Sequence, residues 1–512
     1  MVRNTRFFII FLFCSRGWLK LLQMRNVLFL FSLLLFCTPA VAQDDQSPEE
    51  LLDNGFFFFQ EEDYEEAIYY LLRLEDTPYF NANVHFRIGM CYLHIPGEEY
   101  KAIPYFEKAL ENLTGKYSAR STKEKKAPYH TWFYLGRAYR INNELEKALD
   151  AFYAFREVPG FDRNYNIGIV ENEIRACEIA KIIKDIPLNV NIVNLGSPVN
   201  DASDNYHPVI SADEQTMVYM TDLKFYNAIF MSKKLAGIWT EPVNITPQVE
   251  SDGDAIPVWI SPEGNKLLLI KGTGNKRDIY ISTYSAGSWS RMEPFPGPVN
   301  SNRAESFASL STDEKTLYFS SNRRGGMGGF DIYRSVLDQS GQWSEPENLG
   351  DVINTPFNEA CPHLSEDGNT LYFASEGHYN MGGYDIFYST REPPGQWQDP
   401  INIGYPVNTT SNETFFYPAR NGKFVYLSRN MPEGFGQQDI YRIEIIPEET
   451  PGIETVSGKL DATWDCKTPF IIRLVDRNTE EILTEIIIDP ESKKISYKSS
   501  SKNLKVLIEK NN

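Results

Sequence analysis

The sequence predicts a multidomain chain, α first and then β: a helical repeat array (an α-solenoid), a five-bladed β-propeller, and a small C-terminal β-sandwich. Three observations predict it. Asp-Ile-Tyr or a near copy returns five times at intervals near 50 residues, as Ala228-Ile229-Phe230, Asp278-Ile279-Tyr280, Asp331-Ile332-Tyr333, Asp385-Ile386-Phe387 and Asp439-Ile440-Tyr441. Upstream, small residues recur among aromatic ones at the spacing of helical hairpins. Downstream, short runs alternate apolar and polar residues. Self-similarity at a fixed period is the mark of repeat architecture. An aromatic content of 13% suits β-rich structure.

Residues 1–42 read as a leader, not as fold. Arg25 precedes the apolar run "VLFLFSLLLF", and Ala40-Val41-Ala42 is a small-residue cleavage site, the pattern of a secretory signal peptide. A second apolar run, "FFIIFLF", lies upstream of Met24, which makes Met24 the expected initiator and the first 23 residues an over-extension. The other reading, a membrane anchor, needs about 20 apolar residues in one run, and each of these is far shorter. Phe36 is too bulky for the residue before a lipidated cysteine, so Cys37 is not read as one. The leader holds five basic residues and no acidic ones, so the rest of the chain is more acidic still than the overall −19. That balance excludes nucleic acid as a partner, because binding phosphates needs a basic surface. Cys91, Cys177, Cys361 and Cys466 are far apart and show no metal-ligand spacing; no metal or cofactor is expected.

Residues 44–184 carry the helical array. "WFYLGRAYRINNELEKALDAFYAFREVP" contains Trp132, Leu135, Gly136, Tyr139, Ala148, Phe152 and Pro159. Two weaker copies precede it, one with Gly89, Tyr92, Ala102, Phe106 and Ala109, the other with Gly55, Phe58, Ala67 and Leu71. The spacing resembles the tetratricopeptide (TPR) consensus. Small Gly136 and Ala148 let two helices approach while the aromatics fill the seam. A further helix near 166–184 would cap the last pair. Such arrays hold peptides or proteins in a concave groove, so the resemblance implies protein binding.

Residues 187–446 carry five blades. In one full unit, "ACPHLS", "TLYFAS" and "YDIFYST" are strands, "EDGN" is a hairpin turn with Gly368 at positive φ, and "GQWQDPINIG" is a shorter fourth strand. Ser211, Ser261, Ser311 and Ser365 mark the first turn of four blades and Ala419 that of the fifth. Trp239, Trp289, Trp343 and Trp397 are expected to open the fourth strands. The fifth blade lacks that segment. "NLGSPVN" at 194–200 matches "NLGDVIN" at 348–354, so residues near 188–196 are expected to complete blade five and remove its free edge. The units resemble the TolB-like, WD40-like propeller repeat. Asp278, Asp331, Asp385 and Asp439 read as scaffold, each accepting backbone N–H groups in the turn before it, since one-off catalysis would not be written into every blade.

Six residues before each turn marker stand Asn205, Ala255, Glu305, Glu359 and Glu413, with Asp254 beside the Ala255 place. Two readings stand open. Asn205, Asp254, Glu305, Glu359 and Glu413 form an acidic binding rim at one mouth of the central channel, open to cations or a basic partner. Alternatively, each caps its own turn. No catalytic residue is assigned: the chain has no Gly-x-Ser-x-Gly elbow and no His-Glu-x-x-His, and "GGMGGF" is not followed by the Gly-Lys-Ser of a phosphate loop.

Residues 452–512 alternate like strands of an antiparallel sandwich and resemble the carboxypeptidase-regulatory-like fold, stopping before the final strand such domains usually have. The whole order resembles the PorE-type, OmpA-family proteins of the Bacteroidetes cell envelope, some of them tied to type IX secretion. That resemblance implies a periplasmic, outer-membrane-associated, non-catalytic scaffold that binds envelope proteins, including secretion components. Those proteins typically end in an OmpA-like peptidoglycan-binding domain; this chain shows none, so binding to the wall is not expected. The alternative is a periplasmic glycan-binding or hydrolytic propeller.

Overall fold

The computed structural model describes residues 46–447 except 224, 274–275 and 392–394, and the backbone of five strands beyond them. The leader, Met24, Cys37 and Cys466 lie outside the described residues. Among the described residues, no helix is long and apolar enough to cross a membrane.

The α part is three helix pairs and a long final helix: Pro48–Gln60 with Tyr64–Leu72, Ala82–His94 with Ala102–Ala109, Thr131–Ile141 with Leu145–Arg156, then Ile167–Lys184. Local signals start them. Ser47 and Glu50 form a reciprocal capping box with Pro48 at the first turn, and Asp63, Asn81 and Asn166 each accept backbone N–H groups at their helix starts. Close approach within each pair depends on glycine. A Cβ on Gly89 would lie 2.7 Å from the Phe106 ring, and one on Gly136 2.6 Å from that of Phe152. Ile167–Lys184 packs against Leu145–Arg156 and also reaches the β part, where Ile179 and Ala180 meet Met381.

The β part is a five-bladed propeller. Blade one is Asn205–Ile210, Thr216–Leu223, Tyr226–Leu235 and Val243–Asn244. Blade two is Ala255–Ile260, Lys266–Thr273, Lys276–Ser285 and Glu293–Pro294. Blade three is Glu305–Leu310, Thr316–Ser321, Asp331–Val336 and Glu347–Asn348. Blade four is Glu359–Leu364, Thr370–Ser375, Asp385–Thr390 and Ile401–Asn402. Blade five is Phe416–Ala419, Phe424–Arg429 and Asp439–Ile445, with Val190–Asn194 as its outermost strand, Ile192 opposite Ile443. The chain therefore closes the ring with its own upstream segment. A second tie reinforces the closure: Glu214, in the first turn of blade one, meets Arg442 and Arg420 of blade five at 3.0 Å each and accepts from Tyr426 Oη at 2.5 Å.

The tryptophans stand differently from expectation. Each fourth strand begins four residues after its Trp. Trp239 and Trp289 sit in two-residue strands folded back on the third strand, Trp343 bridges Leu337, and Trp397 lies outside any strand. Trp239 and Trp289 are nonetheless buried in the propeller core, and Trp289 Nε1 donates to Met231 Sδ at 3.4 Å.

Beyond the propeller, backbone pairing joins Glu454–Lys459 to Lys494–Ser499, and Phe470–Asp476 to both Ile482–Ile488 and Leu504–Lys510. The turns between these strands lie outside the described residues.

Candidate functional site

Blades three, four and five repeat one polar network. Asp331 accepts from the N–H groups of Met327 and Gly328 at 2.5 and 2.9 Å and from Asn348 Nδ2 at 2.7 Å. Asp385 does the same with Met381, Gly382 and Asn402, and Asp439 with Phe435, Gly436 and Asn194. A second asparagine, Asn354, Asn408 or Asn200, brackets the next residue of the third strand, accepting its N–H and donating to its carbonyl. These are the Asn residues of "NLGDVIN", "NIGYPVN" and "NLGSPVN", so the shared wording is a shared hydrogen-bond set. Asp278 departs from it: the second and third strands of blade two stay paired as far as Thr273 and Lys276, and Asp278 stands within that pairing, opposite Lys271.

The proposed rim needs correction. Glu305 is fully buried and accepts from Ser301 N and Oγ at 2.8 and 2.6 Å, from Ser321 Oγ at 2.9 Å and from Arg323 at 3.1 Å. Glu359 is fully buried and accepts from Thr355 N and Oγ1 at 3.0 and 2.6 Å and from Ser375 Oγ at 2.8 Å. Glu413 repeats the pattern with Thr409 and meets Arg429 at 3.6 Å. Asn205 accepts from Asp201 N and donates to Thr221 Oγ1. Only Asp254 is partly exposed, and it pairs with Lys271 at 3.2 Å. The shared register thus reflects capping within each blade, the second of the two readings. Burial pushes the Glu359 carboxyl up to about 7 and raises Glu413 and Asp385 as well, Asp385 further by the nearby Glu413 carboxylate.

The channel itself is filled. Two residues after the capping positions, His207, Phe307 and Phe415 turn to the axis, with His207 and Phe415 ring centroids 4.3 Å apart and Phe307 and Phe415 6.1 Å apart. His207, Phe307 and Cys361 hold positive φ, which lets the innermost strands bulge and aim these side chains inward. Deeper, Tyr417 of blade five donates to the Ile260 carbonyl of blade two at 3.1 Å, and its ring meets His363 at 4.4 Å. Burial lowers His207 to about 4 and His363 to about 3, so both are neutral. Beyond Tyr417, at the mouth formed by the Ser-led turns, lies a shallow cavity of ≈ 40 Å³ lined by Trp259, His363, Tyr417, Ser211, Ser365 and Glu366 among others. Glu366 is its one carboxylate. Among the described residues, no group of His, Cys, Asp and Glu could hold a metal ion.

The opposite mouth carries the helical array. Arg140, fully buried, donates Nε to Glu173 at 2.9 Å and Nη1 to the Thr410 carbonyl, in the loop entering blade five. Thr410 Oγ1 returns a hydrogen bond to the Ile141 carbonyl at 3.3 Å. Asn172 donates to the Glu376 carbonyl of blade four at 2.8 Å. Sequence reasoning missed this interface; its signal, an Arg among the apolar positions of a helix, is weak.

The fold and these two mouths define a five-bladed propeller protein with helices seated on one mouth. No family model matches the chain, and no curated protein matches it. Among solved structures it is similar to TolB from Acinetobacter baumannii, 18% identical over 47% of this chain and 54% of that one, with a TM-score of 0.32. The chain thus spans about half the length of that TolB. It is similar also to the catalytic domain of the Coprinopsis cinerea GH62 alpha-L-arabinofuranosidase, 11% identical over 50% and 97% of the two chains, TM-score 0.35. A third is the endo-arabinase from Bacteroides thetaiotaomicron, 14% identical over 50% and 96%, TM-score 0.32.

Proposed function

We propose that this protein is a non-catalytic, periplasmic scaffold associated with the outer membrane, whose TPR-like array and propeller bind other envelope proteins, type IX secretion components among them. One observation carries the reading: the buried contact built round Arg140 joins a helical binding module and a propeller into one body with two outward surfaces. The chemistry of the channel points the same way. Glycoside hydrolysis uses two carboxylates about 5–10 Å apart across a substrate cleft. Here Glu305, Glu359 and Glu413 are engaged within their own blades, and the small cavity at the open mouth has Glu366 as the one carboxylate in its lining. The signal-peptide pattern at 1–42 supplies the compartment. The test is photo-crosslinking of the full chain in intact cells, followed by fractionation. Recurrent crosslinks to the same outer-membrane proteins are expected. Release of sugar from arabinan or arabinoxylan by the purified chain, or its recovery from the cytoplasm, would overturn the reading.

A further inference from the structure

The third strands of blades one and two run past the ends of their second strands and turn back at the mouth formed by the Ser-led turns. In blade one the last pair with the second strand is Thr216 with Lys233, and Thr216 N donates to Ser211 Oγ at that turn. Beyond it Lys234 pairs with Trp239, and Leu235 with Ile238, round Ala236 and Gly237 at positive φ. In blade two the last pair is Lys266 with Thr283; Tyr284 then pairs with Trp289, and Ser285 with Ser288, round Ala286 and Gly287, also at positive φ. The two hairpins share one backbone path, and each is rooted by its tryptophan in the propeller core.

Their tips differ in chemistry. Leu235 is 66% exposed and Ile238 71%, where blade two has the exposed Ser285 and Ser288. On the neighbouring strand Val243, opposite Met231, is 50% exposed, where blade two has the exposed Glu293 opposite Ile281. Blade three exposes Asp338, Gln339 and Ser340 at its own return. Neither the turn nor the ring requires Leu and Ile here, since the same hairpin carries serine one blade on. Large apolar side chains gathered at a projecting tip mark a contact. The same tip is basic. Lys233 is exposed, with Nζ 4.7 Å from the Tyr284 ring centroid of blade two, and Nζ of the half-buried Lys234 lies 4.8 Å from that of Trp239. Blade two has Thr283 and Tyr284 at these places. Two cations thus stand directly behind an apolar tip, on a chain of net charge −19.

We propose that the blade-one hairpin is a membrane contact: Leu235 and Ile238 enter the boundary between headgroups and acyl chains of a bilayer bearing anionic phospholipid, and Lys233 and Lys234 pair with its phosphates. Apolar area and cations beside it are the two attractions that hold a protein at an anionic interface. The net negative charge of the chain opposes this only weakly at a projecting tip, because salt screens charges beyond roughly 8 Å. One tip is a small anchor, so the contact is reversible and orients the protein more than it holds it. The helical array sits on the other mouth, so a propeller resting on this tip presents its helices away from the bilayer. This deepens the outer-membrane association of the scaffold reading and rests on it.

The test is flotation of the full chain with vesicles of equal parts phosphatidylglycerol and phosphatidylcholine, against phosphatidylcholine alone, every variant keeping the same N-terminus so that differences read the tip. Wild type is expected to bind the anionic vesicles at least tenfold more tightly than the neutral ones, and to be released as salt rises. Leu235→Ser with Ile238→Ser, the pair blade two carries on the same turn, should weaken binding at least tenfold at an unchanged melting temperature. Ser285→Leu with Ser288→Ile, which makes a second apolar tip, should strengthen it. Lys233→Gln with Lys234→Gln should weaken it at least tenfold and flatten its salt dependence; should that variant fail to fold, the salt release of wild type still tests the cations. No flotation by wild type, undiminished flotation by the serine pair, or equal binding to neutral vesicles overturns the contact. So does self-association of wild type in sedimentation velocity that the serine pair abolishes, without vesicle binding, since the tip then joins two copies. If vesicle binding fails while crosslinks to outer-membrane proteins persist, the scaffold is held by proteins alone; recovery from the cytoplasm would remove the scaffold reading itself.

Discussion

Glu359 shows how a single residue ties the propeller's stability to pH. Its carboxyl accepts three hydrogen bonds, which favour the anion, but complete burial outweighs them and pushes it up to about 7. The unfolded value is near 4.5. A carboxyl raised on folding contributes stability that is complete below the unfolded value and is lost as pH rises through the folded one. The window here is therefore from about 4.5 to about 7, and up to about 3 kcal/mol is at stake. Glu413 and Asp385, raised by the same burial, act in the same direction. The buried His207 and His363, both lowered, act in the opposite direction in wild type, so the Glu359 contribution is read as the difference between wild type and Glu359→Gln across that range. Glu359→Gln removes the titrating group and one acceptor. It should be less stable than wild type at pH 5 by about 1 kcal/mol, the worth of one hydrogen bond, and equal or more stable at pH 8. Thermal melts across that range check this; parallel curves for the two proteins would refute it.

Among the elements, the outer strand of blade five is the one that defines a closed ring. Asn200 is fully buried, accepts from Ile440 N at 2.9 Å, and donates to the Ile440 carbonyl at 3.0 Å and to Asn194 Oδ1 at 2.7 Å. Asn354 and Asn408 make the same three bonds inside blades three and four. Asn200→Ala should cost about 2 kcal/mol, because it leaves the buried Ile440 N–H without its acceptor, while the Ile440 carbonyl keeps Leu195 N at 3.1 Å. Denaturant melts of Asn200→Ala, Asn354→Ala and Asn408→Ala should agree within about 1 kcal/mol, the context scatter of such bonds. A much smaller loss for Asn200 would mean that closure adds little. This element was legible in the sequence because its hydrogen-bond set demands the same residues wherever it occurs, and "NLGSPVN" displays them out of place. The blades were legible for the same reason. The Glu register was equally visible but equivocal, since a capping acid and a rim acid leave the same mark. The strap of residues 113–128 over Asn83 and Arg87 was not legible: two of its hydrogen bonds to that helix, across 32 and 41 residues, end on main-chain carbonyls, which any sequence supplies.

For the molecule as a whole, the question is whether the array and the propeller unfold together. Their contact is narrow but dry at its centre. Arg140 has no exposed surface, Glu173 is shared between Arg140 at 2.9 Å and Arg137 at 3.1 Å, and Ile179, Ala180 and Met381 seal one side. Removing one partner of a buried ion pair costs about 3–5 kcal/mol, because the other charge is left in the dry interior. Arg140→Ala leaves Glu173 the partly exposed Arg137, so the loss should fall at the lower end of that range. It also strips the Thr410 carbonyl of its donor, and that part of the loss falls on the interface alone. Wild type should therefore melt in one calorimetric transition. Arg140→Ala should melt in two, the helices first, since the propeller retains its closing strand and the Glu214 ties. Small-angle scattering of the variant should show a larger radius of gyration as the two parts separate. One undivided transition in Arg140→Ala, at an unchanged radius, would mean that the remaining contacts of Asn172, Ile179 and Thr410 hold the two parts together without the buried arginine.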